Sequence, residues 1–208
     1  MAIVDTHWNP WKTEIHFFET IDSTNDFLLE LGELGAPEGT IIIAETQTKG
    51  RGQFHRPWFS PAGMGLWLSL LLRLPIEQEV VPLLSCFAPV ALCDGIESSK
   101  IKVHNLCIKE PNDLLIDGKK VAGVLVETRR GASPFAVVGI GLNIYQTEKD
   151  FPKGINTPAT SLSLASPGCM IDRQQLTMDV INALYRRYQQ LHHDPVALEA
   201  EWRLRLQR

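Results

Sequence analysis

The chain has 208 residues, 44% of them hydrophobic and 21% charged, with a formal net charge of −4 at pH 7. That length holds one domain with a sizeable core, and the acidic balance argues against a nucleic-acid coat, which carries a broad basic excess. No apolar run is long enough for a membrane-spanning helix, and the N-terminal segment lacks the cationic start and apolar run of a secretory signal.

In chain order, "HFFETIDSTND" (16–26) is an apolar run ending in helix-capping residues, with Ser23 and Asp26 resembling a capping box. Phe27, Leu28, Leu31 and Leu34 supply an apolar helical face, which Gly32 weakens and Gly35 with Pro37 ends. "GTIIIAETQT" (39–48) reads as a strand feeding a basic loop, and "GLWLSLLLRL" (65–74) as the strand that follows it. Residues 80–98 read as a mostly buried helix. The stretches 102–109, 113–130 and 134–145 read as strands, with Asp117-Gly118 a hairpin signal. From 172 to 191 the apolar positions Leu176, Val180, Ile181, Leu184, Tyr188 and Leu191 follow helical spacing. "WRLRLQR" ends the chain abruptly, as though a strand or a further module once followed. Helices toward the ends and clustered strands between favour an α+β fold over alternating βαβ units.

Three segments carry chemistry. "ETQTKGRGQFHRPW" (45–58) sets Lys49, Arg51 and Arg56 around two glycines that let backbone N–H groups approach a ligand. Arg51 offers a planar fork for carboxylate or phosphate, and Trp58 a face for a ring. The loop lacks the Gly-Lys-Ser/Thr ending of a Walker motif. "IKEPNDLLIDGKKVAGVLVE" (108–127) offers Asp113, suited to an amine or a magnesium ion, and Lys120 as a point charge. "VVGIGLN" (137–143) echoes a dinucleotide fingerprint without its full glycine spacing. The four cysteines include no Cys-x-x-Cys pair, so they read as reduced packing residues of a cytoplasmic protein. The histidines form no ligand pattern, so no metal held by the protein alone is expected.

Together "IDSTND", "ETQTKGRGQFHRPWFSPAGMGLWLSLLLRL", "KEPNDLLIDGKKVAGVLVE" and "GIGLN" resemble, in order, the signature blocks of biotin–protein ligases, from about Ile21 to Asn143. The resemblance implies a mixed, mostly antiparallel central sheet with helices packed on it, the fold shared with lipoate ligases and class II synthetases. It implies one catalytic domain over 1–208 with a helical part from about 172 to 208. Its reaction would be ATP-dependent activation of biotin to biotinyl-adenylate, then transfer to a lysine of a biotin carboxyl carrier protein. Ser23, Thr24, Asn25, Gln47, Gly50 and Gly123 match the biotin-binding positions. Gln53, Arg56, Trp58, Asn112 and Asn143 match the nucleotide-binding ones, with Trp58 covering the adenine and Asn143 near it. Arg51, Lys120 and Asp113 match the catalytic ones: Arg51 and Lys120 between carboxylate and phosphate, Asp113 beside the nucleotide and the attacking amine. Magnesium would arrive on the ATP phosphates.

The chain departs from the resemblance at three positions. Gln53 replaces a loop arginine, His55 a loop glycine, and Glu110 the tryptophan before Pro-Asn-Asp. Gln53 accepts or donates a hydrogen bond but adds no charge, so looser retention of the adenylate is expected. The segment before Ile21 is too short for the DNA-binding module of some such enzymes, so no DNA partner is expected. The small C-terminal β domain would be missing or truncated. Homodimers occur in the family, and nothing in these residues decides that point. Two rivals remain at this level: a lipoate-type ligase of the same fold, and a non-catalytic binder of biotin or nucleotide.

Overall fold

The segments 41–44, 65–72 and 135–142 are apolar at nearly every position, a pattern that suits strands covered on both faces. The structure, a computed structural model, describes residues 2–3, 8–74, 80–152 and 157–207. Its strands are β1 (Ala2–Ile3), β2 (Ile15–Ile21), β3 (Ile41–Gln47), β4 (Gly65–Leu72), β5 (Leu106–Lys109), β6 (Asp113–Ile116), β7 (Lys119–Arg129) and β8 (Phe135–Asn143). Its helices are α1 (Thr24–Glu33), α2 (Val80–Ser98), α3 (Leu162–Ala165), α4 (Arg173–His193) and α5 (Pro195–Leu204). The described strands form one eight-stranded sheet in the order β1-β2-β3-β4-β8-β7-β6-β5. Only β2 and β3 run parallel, with α1 as their crossover, and every other neighbouring pair is antiparallel. This is the mixed, mostly antiparallel α+β fold that the resemblance implies.

Side-chain alternation divides the core between the two faces. Ile41, Ile43, Leu68, Leu70, Ala136 and Val138 point toward α2, α4 and α5, where Phe87, Leu92, Leu184 and Tyr188 complete the larger core. Ile42, Leu71, Phe135 and Val137 point the other way and pack under Leu28 and Leu29 of α1. Gly32, which weakens α1 as a sequence, is required by this packing. A Cβ there would lie 2.4 Å from the Phe135 ring and 2.9 Å from Leu71. Ser23 caps α1 by accepting from the Asp26 amide at 3.3 Å. At the other end Arg73 donates to the carbonyls of Ala36 (2.8 Å) and Gly32 (2.9 Å), supplying the cation that the last turn of α1 lacks.

The expected helix over 80–98 and the Asp117-Gly118 hairpin are present, the latter with φ of +49° and +74° at its two turn residues. Other expected spans shift. The strand expected over 102–109 begins only at Leu106, and the one expected to reach residue 74 ends at Leu72. "WRLRLQR" lies in the part expected to be helical. Its start belongs to α5, whose N-terminus Asp194 caps by accepting from the Ala197 amide. Beyond the helix Leu206 makes a single parallel bridge to Ile108 and covers part of the edge strand β5. No described helix is long and apolar enough to cross a membrane.

Candidate active site

A cleft of about 590 Å³ opens over the strand ends of β8, β7 and β6 and under the loop that joins β3 to β4. The loop is a small hairpin of its own. The Trp58 amide donates to the Gly50 carbonyl and the Gly52 amide to the Arg56 carbonyl, each at 2.8 Å. Phe54 and His55 turn its tip with φ of +56° and +57°, a conformation unusual for residues with a Cβ. Gly50 is buried behind the cleft wall. Lys49 turns away from the cleft to pair with exposed Asp22 at 2.7 Å. Arg56 and Phe54 stand exposed on the rim, the guanidinium 5.6 Å from the ring centroid.

One end of the cleft is neutral and polar. Ser23, Thr24, Asn25 and Gln47 all line it, brought together because α1 starts where β2 ends beside β3. Gln47 Oε1 accepts from the Thr24 amide (2.9 Å) and hydroxyl (3.1 Å), while its Nε2 donates to Ser60 Oγ (2.9 Å). Ser69 donates to Asn25 Oδ1 at 2.6 Å, and Asn25 Nδ2 donates to Glu127 at 2.9 Å. Ser69 and Ser60 complete this network but belong to no quoted role. A lone serine within the otherwise apolar "LWLSLLL" is the sequence signal for the first of them.

The two central cations come from different hairpins and meet in the same cleft. Arg51 donates to Glu127 at 2.7 Å and also pairs with Asp26. Burial works against its charge, but these two carboxylates outweigh it and hold the guanidinium above its usual pKa. Lys120 pairs with Asp113 at 2.6 Å, and its ammonium lies 5.1 Å from the Trp58 ring centroid. Neither cation faces bulk water, the side chains being 19% and 25% exposed. Sequence reasoning missed Asp26 and Glu127 as holders of Arg51, since their roles depend on the first turn of α1 and a residue of β7 meeting at the loop.

Cross-strand register builds the floor. Gly123 and Gly141 are directly paired on β7 and β8, leaving a bare platform. Trp58 lies on it: a Cβ at Gly141 would come within 2.4 Å of the indole, and one at Gly123 within 3.1 Å. Asn112 donates to the Val124 carbonyl and so locks the Pro-Asn-Asp turn to β7, with Asp113 opposite Gly123. Asn143 ends β8 and donates to the Thr160 carbonyl at 3.1 Å. Of the site residues that the resemblance implies, all except Gly50 line the cleft, Gln53 included, as does Glu110, whereas Lys49 and His55 do not. Among the described residues, no group of three or more His, Cys, Asp or Glu is placed to hold a metal ion.

Comparison with known proteins agrees with this geometry. The sequence profile of the Biotin/lipoate A/B protein ligase family matches residues 17–144. The "Bifunctional ligase/repressor BirA" of Bacillus spizizenii is 40% identical over 185 residues, covering 85% of this chain and 56% of that protein. The "Biotin--[acetyl-CoA-carboxylase] ligase" of Mycobacterium tuberculosis is 33% identical, covering 88% of this chain and 67% of that protein. In three dimensions, the biotin protein ligase from Aquifex aeolicus in complex with biotin and ATP superposes with a TM-score of 0.77 at 29% identity. It covers 92% of this chain and 78% of that one. With the profile match spanning all four motifs that carry the resemblance, the chain belongs to the biotin/lipoate A/B protein ligase family.

Proposed function

We propose that this chain is an ATP-dependent biotin–protein ligase that forms biotinyl-adenylate and passes the biotinyl group to a lysine of a biotin carboxyl carrier protein. The observation that carries the reading is the meeting of Arg51 and Lys120 in one cleft, between a neutral polar end and a glycine floor. The chemistry requires such a meeting. A carboxylate and a phosphate about 4 Å apart repel by roughly 4 kcal/mol at an effective dielectric of ~20, which is about three powers of ten in rate. Two partly buried cations offset that repulsion where water screens it least.

In the first step a biotin carboxylate oxygen attacks the α-phosphorus, the bond from that phosphorus to the bridging oxygen breaks, and pyrophosphate leaves. In the second, the neutral acceptor amine attacks the acyl carbon, an amide forms and AMP departs. Asp113, on the cleft wall, would take the proton the amine loses. The Thr24–Gln47 group suits a neutral ureido ring, which needs hydrogen bonds rather than charges. The acids on Arg51 and Lys120 hold the cations in place before ligands arrive, and incoming anions compete with them. Magnesium would enter with the nucleotide; Asp113 and Glu110 are cleft carboxylates with the hard oxygen donors it prefers, and it would neutralise phosphate charge. Four free cysteines fit a reducing, cytoplasmic setting.

The test is biotin-dependent exchange of labelled pyrophosphate into ATP, run in parallel with lipoate. Exchange with biotin alone supports the reading. Exchange with lipoate alone, or with neither acid, overturns it.

A further inference from the structure

The cleft must admit reactants of opposite charge. Its described lining carries four cations, Arg51, Arg56, Lys109 and Lys120, against two acids, Asp113 and Glu110. That balance suits the first step, in which a carboxylate meets a triphosphate. It opposes the second, because a lysine side chain arrives from water as an ammonium ion. The cations lower the pKa of an amine that enters, which favours the neutral form that attacks. They also repel the ammonium before it has shed its proton, so the way in needs a negative charge.

Most acids near the cleft are already engaged. Asp113 pairs with Lys120 at 2.6 Å, and the β5–β6 register sets Lys109 directly across from it. Asp26 and Glu127 hold Arg51 and do not line the cleft. The Glu110 carboxylate is different: it has no ion-pair or hydrogen-bond partner among the described residues, although Lys109 is its neighbour in the chain.

Glu110 stands exposed on the cleft rim, in the turn that joins β5 to β6. Asp113 follows three residues later and is only partly exposed. Three residues span at most about 11 Å between Cα atoms, so the two carboxylates mark an outer and an inner position along one wall. The opposite rim carries Arg56 and Phe54 and no acid. Because Glu110 replaces the tryptophan that the resemblance implies, this rim charge is a property of this chain.

We propose that Glu110 receives the acceptor lysine as its ammonium at the cleft rim and passes it toward Asp113, so that the second step favours cationic amines. The inference rests on the ligase reading above. At the rim the ammonium pairs with the Glu110 carboxylate. One proton goes to water as the amine moves toward Arg51 and Lys120. The nitrogen lone pair then forms the bond to the acyl carbon, and the bond from that carbon to the phosphate oxygen breaks with its electrons on AMP. The second proton goes to Asp113.

The experiment supplies synthetic biotinyl-adenylate to the full chain in chelator, without magnesium, so neither the first step nor a metal bears on the result. Two nucleophiles are compared near neutral pH: Nα-acetyl-lysine amide, which is an ammonium there, and hydroxylamine, which is neutral. The readout is the ratio of their second-order rates, each corrected for reaction without protein. An exposed ion pair is worth up to about five-fold. In Glu110→Gln the lysine-to-hydroxylamine ratio should therefore fall about three- to five-fold at low salt, and further in Glu110→Lys, while Glu110→Asp keeps most of it. The gap between native and Glu110→Gln should close as salt rises. A native ratio in Glu110→Gln and Glu110→Lys overturns the proposal, and so do two rates that fall together, which mark a structural effect. Biotin-dependent pyrophosphate exchange is read separately. Its absence beside a charge-sensitive ratio removes the ligase reading and leaves Glu110 its role; exchange beside a native ratio in the variants does the reverse.

Discussion

Gly139→Ala tests whether the neutral end of the cleft and the Arg51 carboxylates form one mechanical unit. A Cβ at this position would lie 2.2 Å from Asn25 Oδ1, 2.8 Å from Cγ and 3.0 Å from Nδ2. Asn25 must therefore retreat by about 1 Å to reach ordinary contact, yet it is only 4% exposed. Its oxygen is held by Ser69 at 2.6 Å and its nitrogen by Glu127 at 2.9 Å. Overpacking of this kind costs about 1–3 kcal/mol, and a broken buried hydrogen bond adds about 1. A total of about 2–4 kcal/mol lowers the melting temperature of a chain this size by roughly 5–15 °C. Because Glu127 also holds Arg51 at 2.7 Å, the same variant should weaken biotin binding. Calorimetric melting and biotin titration read the two effects. A native melting temperature would show that Asn25 moves freely, and native biotin affinity in a destabilised variant would uncouple Arg51 from it.

Lys120→Ala should reduce biotin-dependent pyrophosphate exchange by about 10²–10³-fold, as expected for loss of one charge-stabilising group; full retention removes its role. Gln53→Arg adds a cation to the cleft wall and should slow dissociation of biotinyl-adenylate, measured by chasing with unlabelled intermediate; equal rates for the two proteins refute it. Burial pushes the Cys86 thiol up to about 11 and the Cys93 thiol to about 12. The folded chain therefore keeps protons that the unfolded chain has lost, so this part of its stability is complete below about pH 9 and declines as pH rises toward those values. Urea denaturation across that range should show the decline, and Cys93→Ser should flatten it; a native profile in the variant rejects the assignment.

Local sequence determined the elements whose signals are complete within a few residues. The Ser23 cap, the Asp117-Gly118 turn and the helix at 80–98 are legible because capping, left-handed turn residues and apolar content act at short range. The ordered motifs likewise marked Arg51, Lys120 and Asp113, which the fold brings into one cleft. Only the tertiary structure decided who holds them. Asp26 and Glu127 meet Arg51 across 25 and 76 residues of chain, and Glu110 joins the cleft because β6, paired with both β5 and β7, sets its turn there. Such pairings depend on strand register and on which buried donors and acceptors the fold brings together, and neither is written in the spacing of residues along the chain.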